Sequence, residues 1–194
     1  MILSILIPTI EERKEQYEKL HRNLSLNIEK YGLKGEVEIV SICDNKEMPI
    51  GEKRNRLYKL ATGSHSLQLD DDDLLSDDAI KLITDAIKFE DADCVTFKEL
   101  CIINGRTFEC KHSLMYDDWG ERKDGFRYVR TPFCKDAIRT SICKQIPVPE
   151  IRFGEDHAWA RLIKPHLKTE THINEFLYIY KHDSTDFKTR YGIK

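Results

Sequence analysis

The order of apolar segments in the first half of the chain constrains its fold more than any other feature. Four short apolar or β-branched runs have the length of strands buried on both faces: residues 3–7, 37–43, 66–69 and 94–97. Segments with helical spacing of apolar residues separate them: residues 12–31, residues 52–61 and a stretch from Ser76 to about Phe89. Because strands alternate with helices, residues 1–98 predict an α/β fold with a parallel sheet covered by helices.

The second half of the chain has a different pattern. Asn104-Gly105, between residues 101–103 and 107–110, is a strong signal for a two-residue hairpin. Residues 116–133 are rich in Gly, Asp, Arg and aromatic residues without a clear period, which predicts a long loop.

Three further elements complete the prediction for this half. They are helices at residues 135–144 and 155–164 and a last strand at residues 176–180. No linker or repeat interrupts the sequence, so we expect one domain over residues 1–194 with halves 1–98 and 99–194.

Composition excludes several classes of protein. No stretch approaches the roughly 18 apolar residues of a membrane helix, and Pro8 ends a short N-terminal apolar run that lacks a basic leader. The six cysteines are scattered without metal-site spacing, which is typical of reduced thiols. We therefore expect a cytoplasmic protein without a membrane span.

The charge is unevenly distributed. The net charge is −3, with 15 Lys and Arg against 22 Asp and Glu in residues 1–110, and 12 against 8 in residues 111–168. The basic excess in the second half suits an anionic acceptor or an ordinary solvated face. With a sequence pI of about 6.2, binding to nucleic acid has only weak support.

Four adjacent aspartates, Asp70, Asp71, Asp72 and Asp73, follow the third predicted strand directly. Neighbouring carboxylates repel one another, and ligands bind at the carboxyl ends of strands in open α/β sheets, so the cluster predicts a cation site. If the segment continues the strand, Asp70 and Asp72 point the same way and share that site.

The acid cluster has other possible interpretations, which fit the sequence to different degrees. The acids also suit a solvated loop that leads into the helix start at Ser76. A helix–loop–helix calcium site does not fit, because Leu74 and Leu75 stand where that pattern needs an acid or Asn and then Gly. Leu74 also does not fit a phosphatase-type aspartate nucleophile.

Four motifs stand out along the chain: residues 4–9 (SILIPT), 40–44 (VSICD), 51–73 from GEKRN through ATG to LDDDD, and 154–156 (GED). They occur in the order found in family 2 glycosyltransferases of the GT-A fold, which the chain resembles over nearly its whole length. The resemblance implies a Rossmann-like, mostly parallel central sheet flanked by helices, with an antiparallel hairpin and acceptor-side elements in the second half.

The resemblance also implies donor-side roles. Pro8 and Thr9 close the first strand over the base, Asp44 contacts the uracil ring, and Arg54 lies near the nucleotide, whereas Lys53 and Arg56 are expected on a solvated helix face. A plain turn remains the alternative for Asp44.

Metal-side roles follow from the same resemblance. Asp70 contacts the ribose and metal, Asp72 binds Mn²⁺ or Mg²⁺ directly, and His182 reaches the metal or diphosphate. A surface histidine is the alternative for His182. Lys188 or Arg190 is a further candidate cation for the diphosphate, and Asp71 receives no role.

On the acceptor side, the resemblance makes Asp156 the general base and Glu155 a residue that orients the acceptor. A carboxylate within hydrogen-bond reach activates a hydroxyl by taking its proton. One base facing one leaving group predicts inversion at the anomeric carbon. Trp119 suits stacking against an acceptor sugar, with core or lid packing as the alternative.

The predicted activity is metal-dependent transfer of a sugar from a nucleotide sugar, expected to be a UDP-sugar, to an acceptor hydroxyl. The acceptor class stays open among glycans such as surface polysaccharides, lipid-linked sugars, protein side chains and hydroxylated DNA bases. Two other classes are weighed: a Mg-dependent nucleotidyl- or phosphoryltransferase, which usually has a Gly-rich loop absent from residues 9–13, and a non-catalytic acidic metal-binding domain.

Overall fold

The predicted alternation of strands and helices is confirmed in the first half of the chain. The computed structural model describes residues 1–151 and 153–182, so the candidate cations Lys188 and Arg190 lie outside the described residues. The first half contains β1 (Leu3–Ile10), α1 (Lys14–Lys30), β2 (Val37–Asp44), α2 (Ile50–Leu60), β3 (His65–Gln68), β4 (Leu74–Leu75), α3 (Ala79–Glu90) and β5 (Cys94–Ile103).

The second half adds antiparallel strands and two more helices. It contains β6 (Arg106–His112), β7 (Gly120–Lys123), β8 (Phe126–Arg130), β9 (Ala137–Arg139), α4 (Thr140–Gln145), α5 (Glu155–Ile163) and β10 (Glu170–His182). Asn104 and Gly105 both have positive φ, 50° and 74°, and form the predicted hairpin between β5 and β6.

The prediction of a long loop over residues 116–133 was wrong. Most of this segment is a second hairpin, in which β7 and β8 pair antiparallel. Asp124 and Gly125 connect the strands with φ of 53° and 83°, so the turn has the same Asx-Gly chemistry as the first hairpin. The exposed, charged strand residues hid the period of two that a half-buried strand would show.

The predicted helix over residues 135–144 was wrong in its first half. Ala137–Arg139 is a short strand that pairs antiparallel with both β3 and β5, and the helix begins only at Thr140. The position between two buried strands favours extended backbone because it supplies hydrogen bonds on both sides. Pairing with distant strands therefore overrides local helix preference.

The ten strands of the described residues lie in one sheet. Its order is β2-β1-β3-β9-β5-β6-β8-β7, and β10 pairs with β5 and β4 off this path. Strands β2, β1 and β3 are parallel, with Ile10 opposite Asp44 and Leu6 opposite Gln68. Their carboxyl ends consequently meet at one edge of the sheet.

Alternation along β1 explains the two hydrophobic clusters. Leu3, Ile5 and Ile7 pack with apolar residues of α1 and α3 on one face of the sheet. Leu6 points to the opposite face, where it packs in a cluster with residues of α2, α4 and α5. Helices on both faces hold the parallel strands in place and leave their carboxyl ends open to ligands.

None of the helices in residues 1–151 and 153–182 combines the length and apolarity needed to cross a membrane.

Candidate active site

A cavity of about 990 Å³ opens at the carboxyl ends of the parallel strands. Its walls come from the ends of β1 and β3, from α2, from the start of α5 and from β8 on the far side of the sheet. Most of the predicted site residues line it: Pro8, Thr9, Arg54, Asp70, Asp72, Trp119, Glu155 and Asp156. The fold thus brings the predicted donor-side and acceptor-side residues to one place.

The acid cluster is divided into two structural and two cavity-facing carboxylates. The backbone leaves the strand at Gln68 and turns, with the Asp73 amide donating to the Asp70 carbonyl at 3.0 Å. The side chains of Asp70 and Asp72 remain 31% and 38% exposed, whereas those of Asp71 and Asp73 are 2% and 1% exposed. Asp70 and Asp72 both line the cavity from a turn rather than from a continued strand, and their sharing of one cation stays a prediction.

Asp71 anchors this turn to β1. Its carboxylate accepts a hydrogen bond from the Thr9 hydroxyl at 2.7 Å and pairs with Arg13. Its backbone carbonyl accepts from Gln16 Nε2 at 2.9 Å. The side chain of Asp71 is therefore satisfied within the protein, which gives a structural role to the residue that the sequence left without one.

Asp70 is linked to the acceptor side through Arg54. Arg54 Nη2 donates to Asp70 Oδ1 at 2.9 Å, and Arg54 Nε lies 3.6 Å from Glu155 Oε1. Burial opposes ionisation of Asp70, but the cations of Arg54 and Lys135 outweigh it and lower its pKa. Arg54 thus joins carboxylates from two different elements, the turn after β3 and the start of α5.

Asp72 carries less compensation. Arg13 Nη1 lies 3.2 Å from Asp72 Oδ2 but also serves Asp71. Burial raises the pKa of Asp72, the Arg13 cation opposes that shift, and the neighbouring Asp70 and Asp71 charges add to it. A raised pKa at a partly exposed carboxylate marks a position that is short of positive charge.

These features fit a divalent cation. Asp70 and Asp72 both present carboxylate oxygens to the cavity, and such hard oxygen ligands suit Mn²⁺ or Mg²⁺. A cation beside Asp72 would offset the burial and the neighbouring Asp70 and Asp71 charges, which together raise its pKa.

The expectation that Lys53 lies on a solvated helix face was wrong. The residue is 3% exposed, and its ammonium donates to the Thr9 carbonyl at 2.7 Å and pairs with Asp44. Asp44 also accepts from the Met48 amide at 2.8 Å. Burial opposes ionisation of Asp44, but these bonds outweigh it and lower its pKa. Lys53 ties the ends of β1 and β2 together beneath the cavity.

Asp156 lies in the first turn of α5, after Gly154 at φ 75°. Its Oδ1 accepts from the His157 amide at 2.7 Å, and its side chain lines the cavity. The neighbouring Glu155 is more buried, and that burial raises its pKa while Arg54 opposes the shift. The two acids thus differ in setting: Glu155 belongs to the Arg54 bridge, and Asp156 faces the cavity beside it.

Trp119 connects α5 to the far wall of the cavity. Its ring stacks on His157 with centroids 4.5 Å apart and an angle of 17°. His157 Nε2 in turn bonds Asp118 Oδ1 at 2.7 Å. The predicted sugar-stacking residue therefore lies against the residue that follows the predicted base.

His182 lies at the end of β10 and stacks on Tyr180, with ring centroids 6.1 Å apart. Tyr180 lines the cavity, so His182 is one ring removed from it. Its role toward a metal stays a prediction.

A chain of buried ionic groups lies behind the cavity. Lys135 Nζ donates to Glu99 Oε1 at 2.8 Å and lies 3.3 Å from Asp73 Oδ2. His112 lies between Glu99 at 3.0 Å and Asp136 at 2.9 Å. Burial opposes protonation of His112, but the Asp136 and Glu99 carboxylates outweigh it and raise its pKa to about 9.

Glu99, Cys110 and His112 also lie close enough together to hold a metal ion. However, both nitrogens of His112 are engaged by carboxylates, and its pKa of about 9 keeps the ring protonated at neutral pH. A protonated imidazole has no lone pair for a metal. This cluster is therefore an ion network, and Asp70 and Asp72 fit a divalent cation better.

Sequence reasoning missed several residues that line the cavity: Arg13, Glu99, Tyr128, Arg130, Lys135 and Tyr180. Arg130 and Tyr128 lie in the β7–β8 hairpin, where the sequence predicted a loop. The Asp124-Gly125 turn is the sequence signal that would have predicted this hairpin. Lys135 and Glu99 had no local signal, because their pairing joins residues 36 positions apart.

No protein-family model matches the chain, and no curated protein is significantly similar to it in sequence. Solved structures are similar. The S. aureus TarS 1-349 crystal structure has a TM-score of 0.66 at 19% identity, covering 93% of this chain and 60% of that one. Its complex with UDP has a TM-score of 0.65 at 19% identity, covering 97% and 63%. Its complex with UDP-GlcNAc has a TM-score of 0.66 at 19% identity, covering 94% and 59%.

The chain has a GT-A fold. The α/β class, the parallel strands flanked by helices and the added antiparallel strands agree with the fold that the motif resemblance implied. The chain spans about 60% of the length of the TarS 1-349 structures that it matches. At 19% identity, the similarity concerns the fold, and activity is argued from the site.

Proposed function

We propose that this GT-A domain is a metal-dependent, inverting glycosyltransferase that moves a sugar from a UDP-sugar to an acceptor hydroxyl, with a glycan as the favoured acceptor. One observation carries the proposal: a single cavity unites partly exposed acids at the strand ends, Asp70 and Asp72, with a separate acid at the start of α5, Asp156. The fold shared with TarS, which was crystallised with UDP and with UDP-GlcNAc, supports the donor class.

The residues divide the chemistry between two sides. Asp70 and Asp72 would hold Mn²⁺ or Mg²⁺, which when bound supplies charge stabilisation to a departing diphosphate. Pro8, Thr9 and Asp44 provide the end of the sheet for the nucleotide, with Lys53 holding Asp44 in place. Residues 1–98 form the donor half and residues 99–194 the acceptor half of a proposed single domain, which we place in the cytoplasm.

On the attacking side, Asp156 accepts the proton of the acceptor hydroxyl while Glu155 orients the acceptor beside it. Arg54 contacts both acids: it donates a hydrogen bond to Asp70 at 2.9 Å and forms a longer ion pair with Glu155 at 3.6 Å. This shared cation brings the attacking side close to the leaving-group side, which a direct displacement requires. One base on one side of the reacting carbon gives inversion.

Calorimetry with UDP, with and without Mn²⁺, tests the proposal. We expect UDP to bind more tightly with Mn²⁺, and the Asp72→Asn variant to lose that dependence. Asp77→Asn is the matched control, because it removes an exposed acid five positions along the same segment. UDP binding that is indifferent to Mn²⁺ in the wild type would contradict metal dependence.

A donor screen then tests the reaction itself. The protein is incubated with a panel of UDP-sugars and Mn²⁺, and mass spectrometry identifies the sugar released or transferred. Release of pyrophosphate from a nucleoside triphosphate, with no turnover of any UDP-sugar, would instead indicate nucleotidyl transfer on the same fold.

A further inference from the structure

The cavity contains one basic residue that differs from the others. In the described part of the chain, six basic residues line it: Arg13, Lys46, Lys53, Arg54, Arg130 and Lys135. Five of them are paired with carboxylates. Arg130 has no carboxylate of the described residues within 4.0 Å, although it is half-buried. A partly desolvated cation without a counter-ion favours binding of an anion.

Arg130 is held in place by aromatic rings. Its guanidinium lies 4.4 Å from the ring centroid of Trp119 and 5.2 Å from that of Tyr128. Nη1 donates to the Val129 carbonyl at 2.9 Å and the Gly120 carbonyl at 3.3 Å, whereas Nε and Nη2 have no acceptor among the described residues. The side chain is thus oriented while most of its donor fork stays available for a phosphate or carboxylate.

The position of Arg130 places it on the acceptor side. Five strand spacings separate β1 from β8 in the sheet order, which is on the order of 20 Å along the sheet. Arg130 stacks on Trp119, and Trp119 stacks on His157, the residue after Asp156. Arg130 therefore lies far from the predicted nucleotide-binding strands and close to the helix that carries the predicted base.

We propose that the acceptor carries an isolated anionic group, a phosphate or a carboxylate, which Arg130 binds while Asp156 deprotonates a hydroxyl of the same molecule. The inference rests on the proposed glycosyl transfer and names its acceptor class. Among the residues that the structure describes, Arg130 is the single cavity-lining cation without an ion pair, which suits one anionic substituent on a sugar. Nucleic acids engage several cations along their phosphates, and the excess of acids in residues 1–110 opposes such a polyanion.

The test compares glucose 6-phosphate, glucuronate and glucose as probes, titrated against the whole chain with UDP and Mn²⁺ present. Tryptophan emission reports binding, because Trp119 lines the cavity whereas Trp159 is fully buried. We expect both charged sugars to bind at least about tenfold more tightly than glucose, and Arg130→Gln to abolish the difference. Arg130→Lys should keep part of it.

Arg127→Gln is the matched control. Arg127 lies on the same strand and beside the same Tyr128 ring, but it pairs with Glu121 and does not line the cavity. This variant should keep the preference for charged sugars. UDP affinity, measured by calorimetry, should be unchanged in Arg130→Gln.

Each other outcome overturns the inference. Equal affinity for all three sugars in the wild type, or a charge preference that survives in Arg130→Gln, removes the anion site. Weaker UDP binding in Arg130→Gln assigns Arg130 to the donor instead. If a short single-stranded oligonucleotide binds more tightly than the sugar phosphate, and this binding depends on Arg130, the acceptor is a nucleic acid and not a sugar with an isolated anionic group. If the wild type does not bind UDP, the proposed function is overturned as well. If it binds UDP but shows no Arg130-dependent preference for charged sugars, only this inference is overturned.

Discussion

The two walls of the cavity use positive charge in different ways. On the wall formed by β1, α2 and the acid turn, Lys53 and Arg54 are buried and paired with carboxylates. On the wall formed by β8, Arg130 lies on aromatic rings without an ion pair among the described residues. On the first wall, the cations hold the strand ends and the acids in place. On the second wall, a cation stays available to a ligand. Changes to the first wall should affect stability, and changes to the second should affect recognition.

Asp156→Asn should have the largest effect, because Asp156 stands between the two walls. Asn cannot accept the proton of the acceptor hydroxyl, so we expect transfer to fall on the order of 10²- to 10⁴-fold. UDP binding with Mn²⁺ should stay unchanged, because the donor wall is intact. Single-turnover transfer assays and calorimetry on the same preparation measure the two quantities.

Asp117→Asn is the control for this substitution, since Asp117 is fully exposed and, within residues 1–151 and 153–182, pairs only with Lys164. Transfer at the wild-type rate by Asp156→Asn would show that Asp156 is not the general base. Glu155 would then be the next candidate for that role.

The sequence predicted the donor wall better than the acceptor wall, for a physical reason. Asp70 and Asp72 directly follow a buried strand, so a local pattern marked them, whereas Asp156 was predicted only through the motif resemblance. All three line the same cavity. Lys53 shows the limit of such patterns: its position on α2 looked like a solvated face, and only the meeting of β1 and β2 beneath it makes it buried.

The acceptor wall depends on pairings between distant segments. β9 is three residues long and is stabilised by β3 and β5, whose paired residues lie more than 40 positions before it. No local preference of Ala137–Arg139 encodes those partners, so the segment was predicted as helix. The β7–β8 hairpin was predictable from Asp124-Gly125 alone, as the β5–β6 hairpin was from Asn104-Gly105.

Lys135→Met tests whether a cation at the back of the cavity is structural. Removing the ammonium takes away the cation shared by the buried Glu99 and Asp73 carboxylates, and leaves Asp73 with hydrogen bonds but no ion pair among the described residues. We expect a loss of about 3–5 kcal/mol in the free energy of unfolding. Urea denaturation measures it, with Lys59→Met as the control because Lys59 is exposed. A loss below about 1 kcal/mol would show that Lys135 is not needed for folding. Lys135 would then resemble Arg130 as a cation that is available to a ligand.

His112 gives the same network a pH dependence. The carboxylates of Asp136 and Glu99 raise its folded-state pKa to about 9 from an ordinary value of 6.5. A raised pKa stabilises the fold fully below pH 6.5, and that stabilisation disappears as the pH rises through about 9. The shift corresponds to a contribution on the order of 3 kcal/mol.

The measurement is the difference in free energy of unfolding between the wild type and His112→Gln from pH 6 to pH 10. We expect the difference to shrink with rising pH, because the stabilising charge on His112 is lost as the pH rises through about 9. Burial raises the pKa of Asp73 to about 7, but both proteins share that titration, so it cancels from the difference. His166→Gln, which removes an exposed histidine, should show a constant difference. A constant difference for His112→Gln would mean that the ring is neutral in the folded protein.

Of the substitutions in the two walls, Arg130→Gln should have the smallest effect on the free energy of unfolding. The guanidinium loses its stacking on Trp119 and Tyr128 and two backbone hydrogen bonds, but no carboxylate of the described residues is left unpaired. Cation–π stacking contributes about 0.5–1 kcal/mol at exposed sites and about 2 kcal/mol when desolvated, so we expect a loss on the order of 1 kcal/mol for this half-buried arginine by urea denaturation. Arg54→Gln, measured alongside, should lose several times more, on the order of 3 kcal/mol, because it leaves Asp70 and Glu155 without their shared cation. Equal losses for the two arginines would mean that Arg130 is a structural cation like Arg54, and the two walls would no longer differ in how they use charge.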